Sequence, residues 1–271
     1  MLKYTVAINS YKNAEMLARC IRNAVLAIKG LNAEIIVADS ETGEETEMMM
    51  REDFPNVRFF PHKKNVGMGA LANCGLRKAK GEYVFFINYD SIIDQDALVS
   101  LSLYLEQNPN VGLIAPKVLN FDGSVQNTRF RFYSPLTVFY RRTFLGKLPF
   151  AKKHLEQFTM KEYGEDDISE PDWIMGSAMM VRRLEAKKLG GFDKRFFMYF
   201  EDTDLCRRYW ESGKKVVYFP RARVYHFHGK GSASGGLLRS LLWNKLTWIH
   251  IFSAIKYFYK YRGKPNPRRN Q

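Results

Sequence analysis

Three carboxylates fall within four residues at Glu201-Asp202-Thr203-Asp204, directly behind the aromatic residues Phe196, Phe197, Tyr199 and Phe200. Aromatic neighbours keep water from a carboxylate and raise its pKa toward values useful to a general base. The same acidic run would also suit the first turn of a helix, where it meets the positive end of the dipole, and Asp204 with Arg208 makes an ordinary i,i+4 pair. Asp90 closes Asn88-Tyr89-Asp90 behind the apolar run Tyr83–Ile87. A carboxylate leaving a buried strand can hold a divalent cation against a diphosphate, since hard cations take oxygen ligands and keep waters and phosphate oxygens in their shell. It could equally begin a turn. Asp39 ends a second apolar run, Glu34–Ala38. His226, in VYHFH, could ligate a metal through a neutral imidazole, and His228 is an equally placed alternative.

The elements that must position these groups alternate in type. Tyr4–Ile8, Glu34–Ala38, Val57–Phe60 and Tyr83–Ile87 are short apolar runs of strand character. Between them, Ala14–Ile28 carries apolar residues at helical spacing, and a second helix is expected around Ala70–Ala79 behind the loop KKNVGMG. Asp94 is the expected N-cap of a helix over Ala97–Gln107. Strands alternating with helices predict an α/β fold with a mostly parallel, doubly covered sheet, whose ligands bind beyond the carboxyl ends of the strands. Asp39 and Asp90 both fall there. In the second half, Val111–Val118, Trp173–Val181 and Val216–Phe219 read as strands and Leu205–Glu211 as a helix. Residues Phe121–Glu170 read as irregular, aromatic and basic, with a mobile loop.

Composition narrows the class. With 271 residues, 46% hydrophobic and 26% charged, the chain can form one large core with an appendage. Cys20, Cys74 and Cys206 form no metal or disulfide pattern. Of the net charge of +14, all but +1 lies beyond Glu211, where there are 13 Lys or Arg and no Asp or Glu. A charge confined to one tail, without a nucleic-acid motif, speaks against a nucleic-acid-binding protein. A sugar nucleotidyltransferase would need a Gly-rich, Arg-containing loop after the first strand, where this chain reads NSYKN. The N-terminal apolar run is too short for a signal peptide, and Leu246–Ile255 is well short of the roughly 20 residues of a membrane-spanning helix. Cytoplasmic residence is therefore expected.

In order along the chain stand INSYKN (Ile8 to Asn13), Asp39, NVGMGALANCG (Asn65 to Gly75), GEYVFFINYD (Gly81 to Asp90), WIMGSAMMVRR (Trp173 to Arg183) and GGFDKRFFMYFEDTDLCRR (Gly190 to Arg208). In these blocks the chain, from Tyr4 to about Ser234, resembles the family 2 inverting glycosyltransferases of GT-A fold, and among them a rhamnosyltransferase-like branch. The resemblance implies a Rossmann-like, mostly parallel sheet flanked by helices over residues 1–236. Residues 1–118 would be the nucleotide-binding half and 119–236 the acceptor-binding half, followed by a basic aromatic helical extension, 237–271.

The resemblance also implies residue roles. Asp202 would be the catalytic base, with Glu201 orienting it or the acceptor. Asp90 and His226 would hold Mn²⁺ or Mg²⁺ against the donor diphosphate. Ser10, Tyr11, Asp39, Asn65, Asn73, Asn88, Asp90, Gly176 and Ser177 would line the nucleotide-sugar site, and Trp173 the acceptor. The donor would be dTDP-rhamnose or a UDP-sugar, and the acceptor a glycan or polyprenyl-linked glycan of the cell envelope. Departures are Asn88 where an Asp is common, which leaves one carboxylate fewer for a metal, and Tyr89, Asn9 and Lys12. With one carboxylate fewer, a non-catalytic sugar-binding relative is the competing expectation.

The C-terminal segment Leu237–Tyr261 mixes Trp243, Trp248, Phe252, Tyr257 and Tyr259 with Arg239, Lys245, Lys256 and Lys260. At 100° per residue, Lys256 and Lys260 fall among the apolar positions, so the segment is not a clean amphipathic helix. Aromatic and basic residues together favour a peripheral anchor on an anionic membrane, at its inner face. Packing on the catalytic domain with solvated lysines is the alternative. No sequence feature fixes an oligomeric state.

Overall fold

A computed structural model describes residues 2–227 and 245–270. His228, Arg239, Trp243 and the boundary drawn after residue 236 lie outside them. The strands are β1 (Tyr4–Tyr11), β2 (Ala33–Ser40), β3 (Arg58–His62), β4 (Tyr83–Asn88), β5 (Ser91–Ile93), β6 (Val111–Leu119), β7 (Val125–Gln126), β8 (Arg129–Phe130), β9 (Trp173–Ile174), β10 (Ala178–Arg182) and β11 (Lys215–His226). The helices are α1 (Ala14–Ala27), α2 (Glu44–Glu52), α3 (Met68–Lys78), α4 (Ala97–Gln107), α5 (Pro135–Arg142), α6 (Pro149–Phe158), α7 (Arg183–Lys188), α8 (Glu201–Glu211) and α9 (Lys245–Lys260).

One nine-stranded sheet runs β3-β2-β1-β4-β10-β6-β11-β5, with β7 beside β6. From β3 to β4 every pairing is parallel, as the βα alternation dictates. Beyond β4 the sheet is mixed, because β10 enters antiparallel between β4 and β6. Alternate residues of β4 feed two cores. Tyr83, Phe85 and Ile87 pack with Leu17, Ile21 and Leu101 on one face. Val84 and Phe86 pack with Leu76, Leu205 and Trp210 on the other. The apolar runs are continuous because both faces of these strands are covered.

Four local expectations are corrected. The segment Trp173–Val181 is two strands in two sheets, interrupted at Met175-Gly176-Ser177, where the Gly176 amide turns away to a side chain. The last strand does not stop at Pro220. It continues to His226 through a register shift between Phe219 and Arg223, which absorbs the proline at an irregularity. The supposedly irregular stretch after Phe121 contains α5 and α6. Ser134 and Thr137 form a capping box ahead of α5, with proline at its start. The N-cap of α4 is Asp96 and not Asp94, whose carboxylate instead accepts the Gln95 amide at 2.9 Å.

Gly67, the N-cap of α3, has φ 82°, and a Cβ there would lie 2.1 Å from the Phe197 carbonyl oxygen. That carbonyl accepts the Met68 amide at 2.9 Å and so ties α3 to the aromatic loop ahead of α8. Gly67→Ala should therefore cost about 2–4 kcal/mol, through left-handed strain and a backbone clash together. A lowered urea midpoint with unchanged slope is the expected reading.

α9 packs on the α/β domain. Ala254, Tyr257 and the following Tyr261 form one buried cluster with Phe196 and Phe200. No helix among the described residues is long and apolar enough to cross a membrane.

Candidate active site

Parallel register brings the ends of β1, β2 and β4 together: Ser10 stands beside Asp39, and Asn9 beside Asn88. Asn9 Oδ1, Ser10 Oγ, both Asp39 oxygens, Asn88 Oδ1 and Asp90 Oδ1 are buried without a hydrogen-bond partner among the described residues. Buried acceptors are nearly always satisfied. A group of them at one sheet edge suits a ligand that brings hydroxyl and N–H donors or a cation. Tyr11 is partly exposed at the rim, and its hydroxyl donates to Glu41 at 2.9 Å. Lys12 pairs with Glu41 at 2.6 Å, and both residues have φ 51°. Left-handed backbone at two facing non-glycine positions is the kind of strain that gathers at ligand sites. Tyr89 projects among these groups: burial foremost, then the charges of Asp90 and Asp39, raises its phenol pKa.

The opposite wall comes from the break between β9 and β10. The Asn88 amide donates to the Ser177 carbonyl at 3.3 Å, and Ser177 Oγ is another buried atom without a partner. The Gly176 amide donates to Asp202 Oδ2 at 2.9 Å. The Thr203 amide donates to Asp202 Oδ1 at 2.7 Å. Two backbone donors thus fix the carboxylate in one orientation. Burial raises the Asp202 pKa, and these hydrogen bonds act against the rise. Beside it, Glu201 Oε2 is sealed and unpartnered although part of the side chain reaches the surface. Burial, and second the Asp202 charge, pushes the Glu201 carboxyl from 4.5 up to about 8.

Folded Glu201 keeps a proton that the unfolded chain releases above 4.5, so its contribution to stability falls as pH rises from about 4.5 to about 8. Glu201→Gln should flatten that part of the curve and be the more stable protein at its alkaline end. Thermal melts of both proteins across the window check this, and parallel curves would refute it.

The loop into this pair is strained and held. Tyr199 and Phe200 have φ 66° and 67°. Asp204, third acid of the run, serves the scaffold: fully buried, it accepts from Arg208 at 2.8 Å, from Tyr261 at 2.8 Å and from Lys260. The i,i+4 pair expected from sequence is present, with two partners from α9 and its end added.

His226 Nε2 lies 3.3 Å from Asp90 Oδ1. Gln126 Nε2 donates to the Asn120 carboxamide and to the His226 carbonyl, each at 2.7 Å. Its Oε1 therefore faces His226 Nδ1, at 3.0 Å, and selects the tautomer with the proton on Nδ1. In that tautomer the Nε2 lone pair and a carboxylate oxygen face each other, an arrangement that fits a cation between or beside them. Among the described residues no three carboxylate, imidazole or thiolate groups gather closely enough to hold a metal by themselves. A cation here would draw the rest of its shell from waters and phosphate oxygens, as Mg²⁺ and Mn²⁺ sites commonly do.

Other candidates sit differently. Asn65 Oδ1 accepts the Gly67 amide at 3.0 Å and shapes the loop before α3. Asn73 is buried, and its carboxamide is spent on both backbone groups of Phe192. Trp173 donates to the Arg131 carbonyl at 2.8 Å and stacks between Phe130 and Tyr133 as a wall. Sequence reasoning missed Asn9, whose signal was its place at the end of β1, and Gln126, for which no signal existed, being 100 residues from His226.

The family profile described as Glycosyl transferase family 2 matches residues 5–161. The N-acetylglucosaminyl-diphospho-decaprenol L-rhamnosyltransferase of Mycobacterium tuberculosis is 27% identical over 229 residues, 80% of this chain and 74% of that protein. Rhamnosyltransferase WbbL of Escherichia coli is 26% identical over 205 residues, 75% of this chain and 71% of that protein. The crystal structure of GalNAc-T7 with UDP, GalNAc and Mn2+ superposes with a TM-score of 0.62 at 15% identity, over 91% of this chain and 49% of that one. This chain thus spans about half of that protein, and the likeness concerns the fold, a mixed α/β sheet of GT-A type.

Proposed function

Because this chain belongs to glycosyl transferase family 2 and is a glycosyltransferase, we propose that it moves a sugar, rhamnose above others, with inversion from a nucleoside diphosphate to a polyprenyl-linked glycan. One observation carries the mechanism: Asp202 is held by the Gly176 and Thr203 amides on the wall that Ser177 joins to Asn88. Its carboxylate takes the proton of the acceptor hydroxyl as that oxygen bonds to the anomeric carbon and the bond to the diphosphate breaks. Glu201, protonated beside it, can donate a hydrogen bond to the acceptor. Ser10, Asp39 and Asn9 receive the donors of the nucleoside, and the 1–118 half carries that pocket. Gly176 and Ser177 border the transferred sugar, with Trp173 behind the acceptor.

Asp90 and His226 would hold a divalent cation, Mn²⁺ or Mg²⁺, which when bound stabilises charge on the leaving diphosphate. The GalNAc-T7 structure with UDP and Mn2+ supports that reading by analogy of fold. The reading sets the enzyme peripherally on the inner face of an anionic membrane, because its acceptor is lipid-linked. Incubation with dTDP-rhamnose or UDP-sugars, a polyprenyl-diphosphate-sugar acceptor and Mn²⁺ tests it. Transfer with inverted anomeric configuration is the expected result, and binding without turnover for every donor would favour a sugar-binding protein instead.

Gln126→Leu should weaken the metal-dependent part of donor binding about tenfold, since a partner on the far ring nitrogen fixes a histidine ligand. Calorimetry with and without Mn²⁺ measures it, and an unaltered metal effect removes His226 from the proposed ligand set.

A further inference from the structure

α9 has two faces, and the sequence helical wheel could not separate them. Its inner face holds the loop that leads to the catalytic pair. Ser253 Oγ donates to the Met198 carbonyl at 2.8 Å, and Lys256 donates to the Arg195 carbonyl at 3.0 Å. Lys260 reaches Asp193 at 2.7 Å and also Asp204, while Tyr257 packs on Phe200 with ring centroids 5.3 Å apart. The lysines that spoil the wheel are thus engaged with loop carbonyls and carboxylates.

The outer face is different. Phe252, Ile255 and Tyr259 are 55%, 58% and 66% exposed. With the exposed Trp248 they fall in an arc of roughly 60° at 100° per residue, opposite Ser253, Ala254 and Tyr257. Exposed Lys245, Arg262 and Lys264 bracket the row, and no acidic residue occurs anywhere from Ser212 to the C-terminus. An apolar row with aromatic members, flanked along the chain by positive charge, complements an anionic lipid surface: rings enter the headgroup boundary and cations meet the headgroups.

We infer that the outer face of α9 docks on an anionic bilayer, and that this docking steadies the catalytic loop gripped by the inner face. The inference rests on the proposed lipid-linked acceptor only for its purpose. Its geometry is independent. The row of side chains lies parallel to the bilayer, and the same helix restrains Tyr199 and Phe200, whose left-handed backbone is the stretch of loop nearest Glu201 and Asp202. Free in solution, the grip that α9 has on the loop is only as firm as the helix's own docking on the domain. On the membrane, fluctuations of α9 are damped and the loop amides open less often.

Flotation of the full chain with phosphatidylcholine vesicles, with and without phosphatidylglycerol, tests the docking. The native protein should float with the anionic vesicles only. Phe252→Ser with Tyr259→Ser should reduce partitioning about tenfold or more. Lys245→Glu with Lys264→Glu should abolish the preference for anionic lipid. Thermal melts matching the native protein establish that the variants are folded. A native protein that ignores anionic vesicles, or a serine variant that floats equally well, overturns the inference. So does a native dimer that the serine variant dissociates, since the row would then bury against a second copy. Hydrogen exchange at 196–203 should slow on vesicles in the native protein, and unchanged exchange in floated protein overturns the coupling. Flotation needs neither donor nor acceptor, so a chain that floats but transfers no sugar refutes the proposed reaction and leaves the docking intact.

Discussion

Asp202→Asn should lower sugar transfer by roughly 10²–10⁴-fold while leaving donor affinity and the fold nearly unchanged. The amide is the same size but cannot take a proton from the acceptor. Donor affinity is preserved because the groups assigned to the nucleoside are at the ends of β1 and β2, on the far wall. The stability term is small for a specific reason. The substituted carboxamide would keep one backbone hydrogen bond and turn its amine toward the other donor, Gly176 or Thr203, which costs about 1–2 kcal/mol. Removing a buried charge whose pKa is raised by burial offsets part of that loss. Single-turnover transfer alongside calorimetric donor titration separates the two quantities. Turnover close to native would remove Asp202 as the base.

The second large effect belongs to Asp90→Ala. Asp90 Oδ1 is buried, has no hydrogen-bond partner among the described residues and lies 3.3 Å from His226 Nε2. Removing it takes away the only carboxylate beside that imidazole among the described residues, since Asn88 stands where a second might have been. Mn²⁺ should then tighten nucleoside-diphosphate binding about 10–100-fold less than in the native protein. Affinity measured without metal should not fall and should rise somewhat, because Asp90→Ala removes a carboxylate that repels the diphosphate. An identical Mn²⁺ effect in both proteins would show that the cation is held elsewhere. Asp90→Asn is the useful companion: it keeps the side chain's shape, so a loss shared by both variants is a loss of charge.

Much of the first half was legible in the chain. Continuous apolar runs such as YVFFI, short and bounded by turn residues, fit a strand covered on both faces. Parallel strands in turn end at one edge, which is why Asp39 and Asp90 could be placed near one another from spacing alone. The second half was less legible. WIMGSAMMV has the composition of one strand, and only a side chain 26 residues away, Asp202, explains why the Gly176 amide leaves the ladder. Pro220 looked like a strand terminator, but the irregularity in the β6–β11 pairing accommodates it. The helices after Phe121 lacked clear periodicity because apolar residues stand on their uncovered sides as well: Leu136, Phe139 and Phe150 are exposed.

By itself, then, the sequence determined the element alternation, the family resemblance and the identity of the acidic residues, because these depend on local periodicity and on residue order. The resemblance already implied separate roles for Asp202 and Glu201, and the spacing an Asp204–Arg208 pair; only the tertiary structure showed what each acid touches. Asp202 is oriented by two amides, Glu201 is left sealed beside it, and Asp204 is given to Arg208, Lys260 and Tyr261. Neighbouring positions on one helix turn face different directions, and what each meets is contributed by strands and helices up to 57 residues away. The same reason governs α9. Lys256 and Lys260 read as solvated in the chain, and the loop packed beside them engages both, Lys260 at carboxylates and Lys256 at a carbonyl, and leaves the aromatic row outside.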